Sequence, residues 1–497
     1  MADSAEQNPA EPAVSVAAGV RAGAPAGAPA RSDGGPGAGE HRFRRSVGLL
    51  PATAINMTQM VGIGPFITIP LMVATFAGPQ AIVGWIAGAA LAICDGLVWA
   101  ELGAAMPGAG GTYLYLREAF QYRTGKLMPF VFIWTVVLTI PLIMSTGIIG
   151  LEQYLGYYLP HLGYWPMHLI GVGVTALIVG LLYRRIESVR VITTALWVIM
   201  LVAVAMTIAA SYSDFHPGLA FHYPHGAFGG GFVAALGAGL LIAIYDYLGY
   251  NTTAYMGGEL RDPGRVLPRS IIISIGAIMV IYLALNIGVV GTLPWPEVAH
   301  STSVASLAVT HNWGRPAADV ITGLILVTAM ASVFAGLLGG SRVPFHAARE
   351  GLFFGVFGRL HPRYDFPHVS LLVMGLITAV GSFFTLTTVI NMLLAVIIWV
   401  QAVGQIVALT VLRRRQPGLP RPYRQWFYPL PSLAALAGWL YVYASATSTA
   451  IVLSVVWVAA GVVAFLGWAR YHRQWPFGPK VIQESFLAEA GVRSDRG

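Results

Sequence analysis

Apolar residues in this chain run in near-continuous blocks of about twenty, the length a helix needs to cross a hydrocarbon core. Short polar connections separate them. Twelve blocks can be marked, over residues 47–76, 80–102, 128–150, 165–182, 191–210, 232–257, 270–290, 319–339, 369–386, 387–412, 427–445 and 447–469. Blocks that are apolar on every side offer no face to water, so the pattern predicts an all-α membrane protein with twelve transmembrane helices. Composition agrees, since 56% of the 497 residues are hydrophobic and 10% charged. The mean hydropathy is +0.69, outside the range of soluble domains.

The sparse charges sort by side. With the amino terminus in the cytoplasm, 28 of the 29 Lys and Arg residues fall in tails and connections on that side, and Arg315 alone lies opposite. This bias predicts a multi-pass protein of the cytoplasmic membrane with both termini inside. The formal charge of +8 is thereby a topology signal, and no nucleic-acid partner is expected. Residues 1–45, with runs such as "VRAGAPAGAPARSDGGPGAGE", are too weakly apolar to fold alone and read as a disordered cytoplasmic tail. Residues 46–412 then hold ten helices, 413–470 two more, and 471–497 a second tail. Cys94 is the only cysteine, so no disulfide forms within the chain, and its place in an apolar run suits a packed or lipid-facing thiol.

Two blocks are interrupted where a helix should be continuous. The first contains "GIGPF" at residues 62–66, although each interior glycine costs about 1 kcal/mol of helix propensity and an interior proline about 3. Gly62 lies roughly 22 Å along the first span, near the middle of the bilayer. Asp246 in "LLIAIYDYLGYNTTAYMGGE" lies about 21 Å along the sixth. Spans one and six begin two halves of five helices, and because five is odd the second half enters the membrane inverted. Interruptions in corresponding spans of an inverted repeat point to a transporter's substrate site. Unwound backbone at the midplane is tolerated where a cavity or ligand satisfies it. A packing kink at "GIGPF" is the alternative reading, since Gly and Pro are frequent in membrane helices.

Longer motifs carry a family resemblance from about His41 to the last span. "GIGPF" resembles the Gly-x-Gly-x-Phe of the first helix of the amino acid–polyamine–organocation permeases. "AELGAAMPGAGGTYLYLREAF" is similar to the end of their second helix, and "YLGYNTTAYMGGELRDPGRVLPRSI" to the sixth helix and following loop. "SRVPFHAAREGLF" after span eight fits the same family. The resemblance implies the five-plus-five inverted-repeat fold of the leucine transporter, with helices 1 and 6 broken. It also implies alternating access around a site between those helices, with spans three and eight as scaffold. By position, a substrate carboxylate would meet Gly62, Ile63 and Gly64 at the positive end of a half-helix. Its amino group would meet carbonyls near the break and groups around Tyr245, Asp246, Tyr247 and Gly249. Tyr245, Tyr247 or Tyr250 can close over the substrate, or serve only as packing.

Two positions depart from the family pattern. Pro65 replaces the usual aliphatic residue and lacks an N–H, which also likens the motif to the eukaryotic polyamine-type branch. A coupling lysine on the fifth helix of several relatives has no counterpart, because Lys126 and Lys480 are the only lysines and neither is in a span. A lysine-based coupling mechanism is therefore excluded.

An aspartate at a helix centre costs about 2.5–3.5 kcal/mol on insertion scales. Asp246 is accordingly a candidate partner for a substrate ammonium, a candidate carrier of a coupling proton, or a structural carboxylate bonded to freed backbone. Asp95 and Glu101 in span two are separated by about 600° of helical rotation, so they do not share a face. Asp95 is a candidate proton site or a buried hydrogen-bonding group. Glu101, nearer the cytoplasm, is read as fixing the inner loops, with a coupling or gating role as the alternative. Glu259, Arg261, Asp262 and Arg269 at the inner mouth are either gating salt bridges or solvated surface charges. His216, His222 and His225 lie in an irregular, proline-rich outer loop, read as a wet loop rather than a metal site. No metal and no cofactor is expected. The chain has no HExxH, Walker A or nucleophile-elbow motif, which leaves an enzyme reading without support. The expected partners are the lipid bilayer and a small substrate, an amino acid or an amine such as a polyamine. A transporter-like sensor that binds the same ligand without moving it is the alternative of another class.

Overall fold

A computed structural model describes residues 47–107, 111–183, 189–364 and 366–478, the stretch 189–196 by its backbone only. The tail expected over residues 1–45 and most of that over 471–497 lie outside the described residues, as do Arg184 and Arg185. The described chain is helical: α1 (Leu49–Met60), α2 (Gly64–Phe76), α3 (Ile82–Ala105), α4 (Thr112–Thr124), α5 (Leu127–Tyr158), α6 (Tyr164–Leu182), α7 (Val189–Ser213), α8 (Pro217–Phe221), α9 (Phe232–Tyr247) and α10 (Pro263–Thr292). It continues through α11 (Trp295–His300), α12 (Val304–Trp313), α13 (Arg315–Gly340), α14 (Arg342–Arg349), α15 (His368–Gly381), α16 (Leu386–Ile397), α17 (Gly404–Arg415), α18 (Leu430–Ala444) and α19 (Ser448–Tyr471). Among the described residues there is no strand beyond one isolated bridge, Val47 to Leu260.

Among the described residues, seven helical segments are long and apolar enough to cross a membrane, and the bent pair α1–α2 makes an eighth if it is one span. Four shorter apolar helices accompany them: the Trp197–Ser213 part of α7, α9, α15 and α18. Every block marked from the hydropathy pattern holds a helix, but two blocks differ in kind from a continuous span. The first is two helices whose axes bend by 55°. The block at 232–257 is α-helical only to Tyr247, and short 3-10 turns at Thr252–Tyr255 and Gly257–Glu259 follow. Gly249 explains the stop, because its φ of +117° is closed to other residues, and a Cβ there would press on the Gln59 backbone at 2.9 Å. Span ten carries a π-helical turn at Ile398–Val403 between α16 and α17.

The core lies where α1, α2, α3, α5, α9, α10 and α13 meet. Trp85, Phe66, Tyr154, Tyr247 and Tyr282 are fully buried there. Burial of these rings, rather than any local propensity, holds the two interrupted segments side by side. On the face where α1 begins, Val47 bonds Glu259 and Arg261 through its backbone at 3.1 and 3.0 Å. On the opposite face Tyr154 of α5 donates to the Phe66 carbonyl of α2 at 3.1 Å and accepts the Ala305 N–H of α12 at 3.3 Å.

Candidate functional site

The break in the first segment comprises Val61, Gly62 and Ile63. Pro65 stands in the first turn of α2, where helix amides are unpaired in any case, so the proline starts the second half-helix instead of kinking a continuous one. Val61 N–H still donates to the Met57 carbonyl at 2.9 Å, and Phe66 N–H reaches back to Ile63 at 3.1 Å. Between them, the amides of Gly62, Ile63 and Gly64 have no hydrogen-bond partner among the described residues. Three free donors thus sit at the positive end of α2, and Pro65 removes none of them.

The end of α9 supplies the facing groups. Asp246 is 2% exposed; its Oδ2 accepts a hydrogen bond from the Thr68 hydroxyl of α2, and its Oδ1 is buried without a partner among the described residues. Oδ1 lies directly against Gly64, where an added Cβ would overlap it. The close approach of two half-helices therefore depends on that glycine having no side chain. One hydroxyl donor is little for a buried carboxylate charge, whose desolvation costs several kcal/mol. A proton or a cationic ligand group would remove the deficit.

The other expected site residues divide. Tyr245 shares a 2.5 Å hydrogen bond with Thr146 of α5 and flanks Gly64, so it joins the break. Tyr247 stands behind it, donating to the Trp85 carbonyl at 3.3 Å. Gly249 serves the contact with Gln59. Tyr250 is turned away and donates to Asp95 Oδ2 at 2.5 Å.

The coupling and gating candidates are more fully partnered. Asp95 accepts from Tyr250, from Trp99 Nε1 at 3.0 Å and from Trp439 Nε1 at 3.0 Å. Glu101, fully buried, is gripped by Arg413 at 2.8 and 2.5 Å and by the Gln425 N–H at 2.7 Å, with Arg421 at 3.6 Å. This arrangement pins α3 to the end of α17 and the connection to α18. Glu259 makes no ion pair among the described residues. Of its neighbours, Asp262 pairs with Arg265 at 3.7 Å, both half or more exposed. Lys126, at the start of α5, donates to the Gly351 carbonyl at 3.0 Å, and burial lowers its ammonium from the ordinary lysine value. His216 lies 3.9 Å from Asp214 on an exposed loop. Among the described residues, no three His, Cys, Asp or Glu side chains gather to hold a metal. Cys94 is half-buried.

Several site residues were not singled out by sequence reasoning. Thr68 was legible in principle, one helical turn beyond Gly64 on the same face. Tyr282 of α10, whose hydroxyl lies 2.8 Å from the Met60 carbonyl and 3.0 Å from the Asp246 carbonyl, had no local signal. Ser332 of α13 approaches Gly62 to 3.1 Å from where a Cβ would stand. A cavity of about 80 Å³ reaches the break here, lined by Thr58, Gln59, Gly62, Trp197, Thr328 and Ser332 among others.

Comparison with known proteins gives the family. The chain is 26% identical to the branched-chain amino acid permease BcaP of Bacillus subtilis over 468 residues, which cover 88% of this chain and 95% of the relative. It is 24% identical to the BcaP of Lactococcus lactis subsp. cremoris over 83% of this chain and 93% of the relative. It is also 27% identical to the human large neutral amino acids transporter small subunit 2, over 79% and 74%. A family model described as amino acid permease matches residues 47–477, so the break and the groups facing it belong to a transport protein, and the chain is a member of the amino acid permease family of the amino acid–polyamine–organocation superfamily.

Proposed function

We propose that this chain is a secondary transporter that moves an amino acid across the cytoplasmic membrane by alternating access. Its twelve helical segments are read as twelve crossings with both termini inside, ten of them in two inverted repeats broken at α1–α2 and at the end of α9, and two appended. The observation that carries the proposal is the meeting of three unpaired amides, at Gly62, Ile63 and Gly64, with a buried carboxylate oxygen of Asp246. Those groups match the two ends of an amino acid: N–H donors for its carboxylate and acceptors for its ammonium. Relatives named for branched-chain and large neutral amino acids favour an apolar side chain. The unpartnered oxygen of Asp246 is also the candidate carrier of a coupling proton, a role alternative to holding the ammonium, because either would remove its uncompensated charge. The closed contacts of Tyr154 with α2 and α12 support a state sealed on the outer side.

The deficit at Asp246 Oδ1 also favours a second reading, an amine or polyamine carrier in which that oxygen takes the ligand's cation. Thermal stabilisation of the purified protein by matched pairs separates them, leucine beside isoamylamine and ornithine beside putrescine. A ligand at 100 times its dissociation constant adds about 2.7 kcal/mol. Stabilisation by amino acids alone supports carboxylate capture at the break, and stabilisation by amines alone supports the second reading. Uptake into liposomes containing only this protein distinguishes either from a sensor, which would bind without flux.

A further inference from the structure

Tyr282 is 1% exposed, far from any surface, and its ring lies between Trp85 and Tyr247, with centroids 5.2 and 5.4 Å away. Its hydroxyl faces two backbone carbonyls, Met60 at 2.8 Å and Asp246 at 3.0 Å. These are not ordinary carbonyls. Met60 is the last residue of α1 and Asp246 the penultimate residue of α9, positions where a helix leaves its C=O groups without intrahelical partners. Lipid supplies no water to satisfy them.

We propose that Tyr282 is the positioning residue that sets the two interruptions against each other, and so holds the substrate groups of both in register. A phenol has one proton and here has two acceptors, one from each interrupted segment. The proton serves one carbonyl at a time, and exchange between them needs only rotation about the C–O bond. Without the proton, two carbonyl oxygens with no donor would face the same space, and the ends of α1 and α9 would move apart to relieve it. The groups that would meet a ligand ride on those ends. Gly62 follows Met60 by two residues, and the Asp246 carboxylate is carried by the residue whose carbonyl Tyr282 holds. Tyr282 itself touches neither the free amides nor Oδ1 in any hydrogen bond, so its effect passes through the backbone. The inference rests on the reading that substrate binds between the breaks.

The test uses the full-length protein in liposomes, with L-leucine as the probe. Tyr282→Phe keeps the ring packing and removes the proton. KM for leucine should rise about tenfold, as expected for loss of one buried hydrogen bond that leaves its acceptors unsatisfied, while kcat stays within about twofold. 4-Aminophenylalanine at position 282 offers two N–H donors for two carbonyls and should return KM to the wild-type value or below. A Tyr282→Phe protein with a lowered thermal midpoint but wild-type KM would make the residue a packing group and overturn the inference. If the phenylalanine variant does not survive purification, the 4-aminophenylalanine variant decides alone: wild-type KM supports the assignment, and a tenfold rise overturns it. Gly64→Leu is measured alongside. Loss of uptake there with wild-type Tyr282→Phe kinetics removes only the positioning role, whereas normal uptake in Gly64→Leu, or none in the wild type, removes the site or substrate reading beneath it.

Discussion

Gly64→Ala is the smallest change that should disable the site, and its size can be worked from the geometry. The added methyl would overlap Asp246 Oδ1 and come within 3.3 Å of its Cγ. Backbone on both sides is held, α2 by Tyr154 and the end of α9 by Tyr282, so the carboxylate has to swing. Swinging breaks the bond from Thr68 and withdraws Oδ1 from the break. A hydrogen bond to a charged group is worth about 1.5–3 kcal/mol, which corresponds to roughly 10- to 150-fold in the dissociation constant. Gly62→Ala is the control. Its methyl would meet only the Ser332 hydroxyl, at 3.1 Å, and a hydroxyl can rotate away, so affinity should fall by less than about threefold.

The assay is ligand-induced thermal stabilisation of purified protein, converted to a dissociation constant from its concentration dependence. A double-mutant cycle identifies the cause. In an Asp246→Ala background the collision partner is gone, so adding Gly64→Ala should cost less than about 0.5 kcal/mol. Wild-type affinity in Gly64→Ala, or the same loss in both backgrounds, would refute the reasoning that Gly64 is kept bare for Asp246.

The remaining predictions concern the other intramembrane carboxylates. Asp246→Asn should leave the protein folded but remove the pH dependence of uptake or the binding of amines, and normal transport at every pH would leave Asp246 structural. Asp95→Asn turns an amide N–H₂ toward the tyrosine and indole donors that surround it, so it should lower stability by about 1–3 kcal/mol with an unchanged pH profile of uptake. A changed profile would make Asp95 a proton carrier. Glu101→Gln leaves Arg413 and Arg421 without their counter-charge and should cost about 3–5 kcal/mol of stability, read as a fall in thermal midpoint with substrate affinity retained.

Hydropathy located the helices well because each block must bury or immerse some twenty apolar residues, whatever it packs against. The "GIGPF" interruption was equally legible, since no continuous helix wants two glycines and a proline at its centre. The end of the sixth block was legible only coarsely: Asp246 and the glycine- and threonine-bearing stretch Leu248 to Gly257 mark an interruption, but the stop of α9 at Tyr247 shows in the φ of Gly249 and its contact with Gln59. Partners of buried polar atoms were not legible at all. Trp439 reaches Asp95 from 344 positions away, and Tyr282 reaches Met60 from 222. Periodicity carries no information about such pairs, because it reports which side of a helix is apolar and not which neighbour arrives there.

The intramembrane carboxylates show why charge alone is a poor guide to a ligand site. Asp95, Glu101 and Asp246 are all buried and would each be expensive in lipid, yet the first two have their acceptors filled by indole, phenol, guanidinium and backbone donors. Such groups have spent their hydrogen-bonding capacity on holding helices together. Glu152 of α5 is intermediate, with one oxygen 2.8 Å from His168 Nδ1 and the other without a partner among the described residues. Among the described residues no run of free amides accompanies it. Of these four carboxylates, only Asp246 has an unfilled acceptor beside a run of amides, Gly62 to Gly64, that have no partner among the described residues. Oδ1 stands against Gly64 because that residue has no side chain, and Tyr154 and Tyr282 hold the half-helices that carry these groups in place. That coincidence, rather than burial or charge, is what singles out the break for the proposed substrate site.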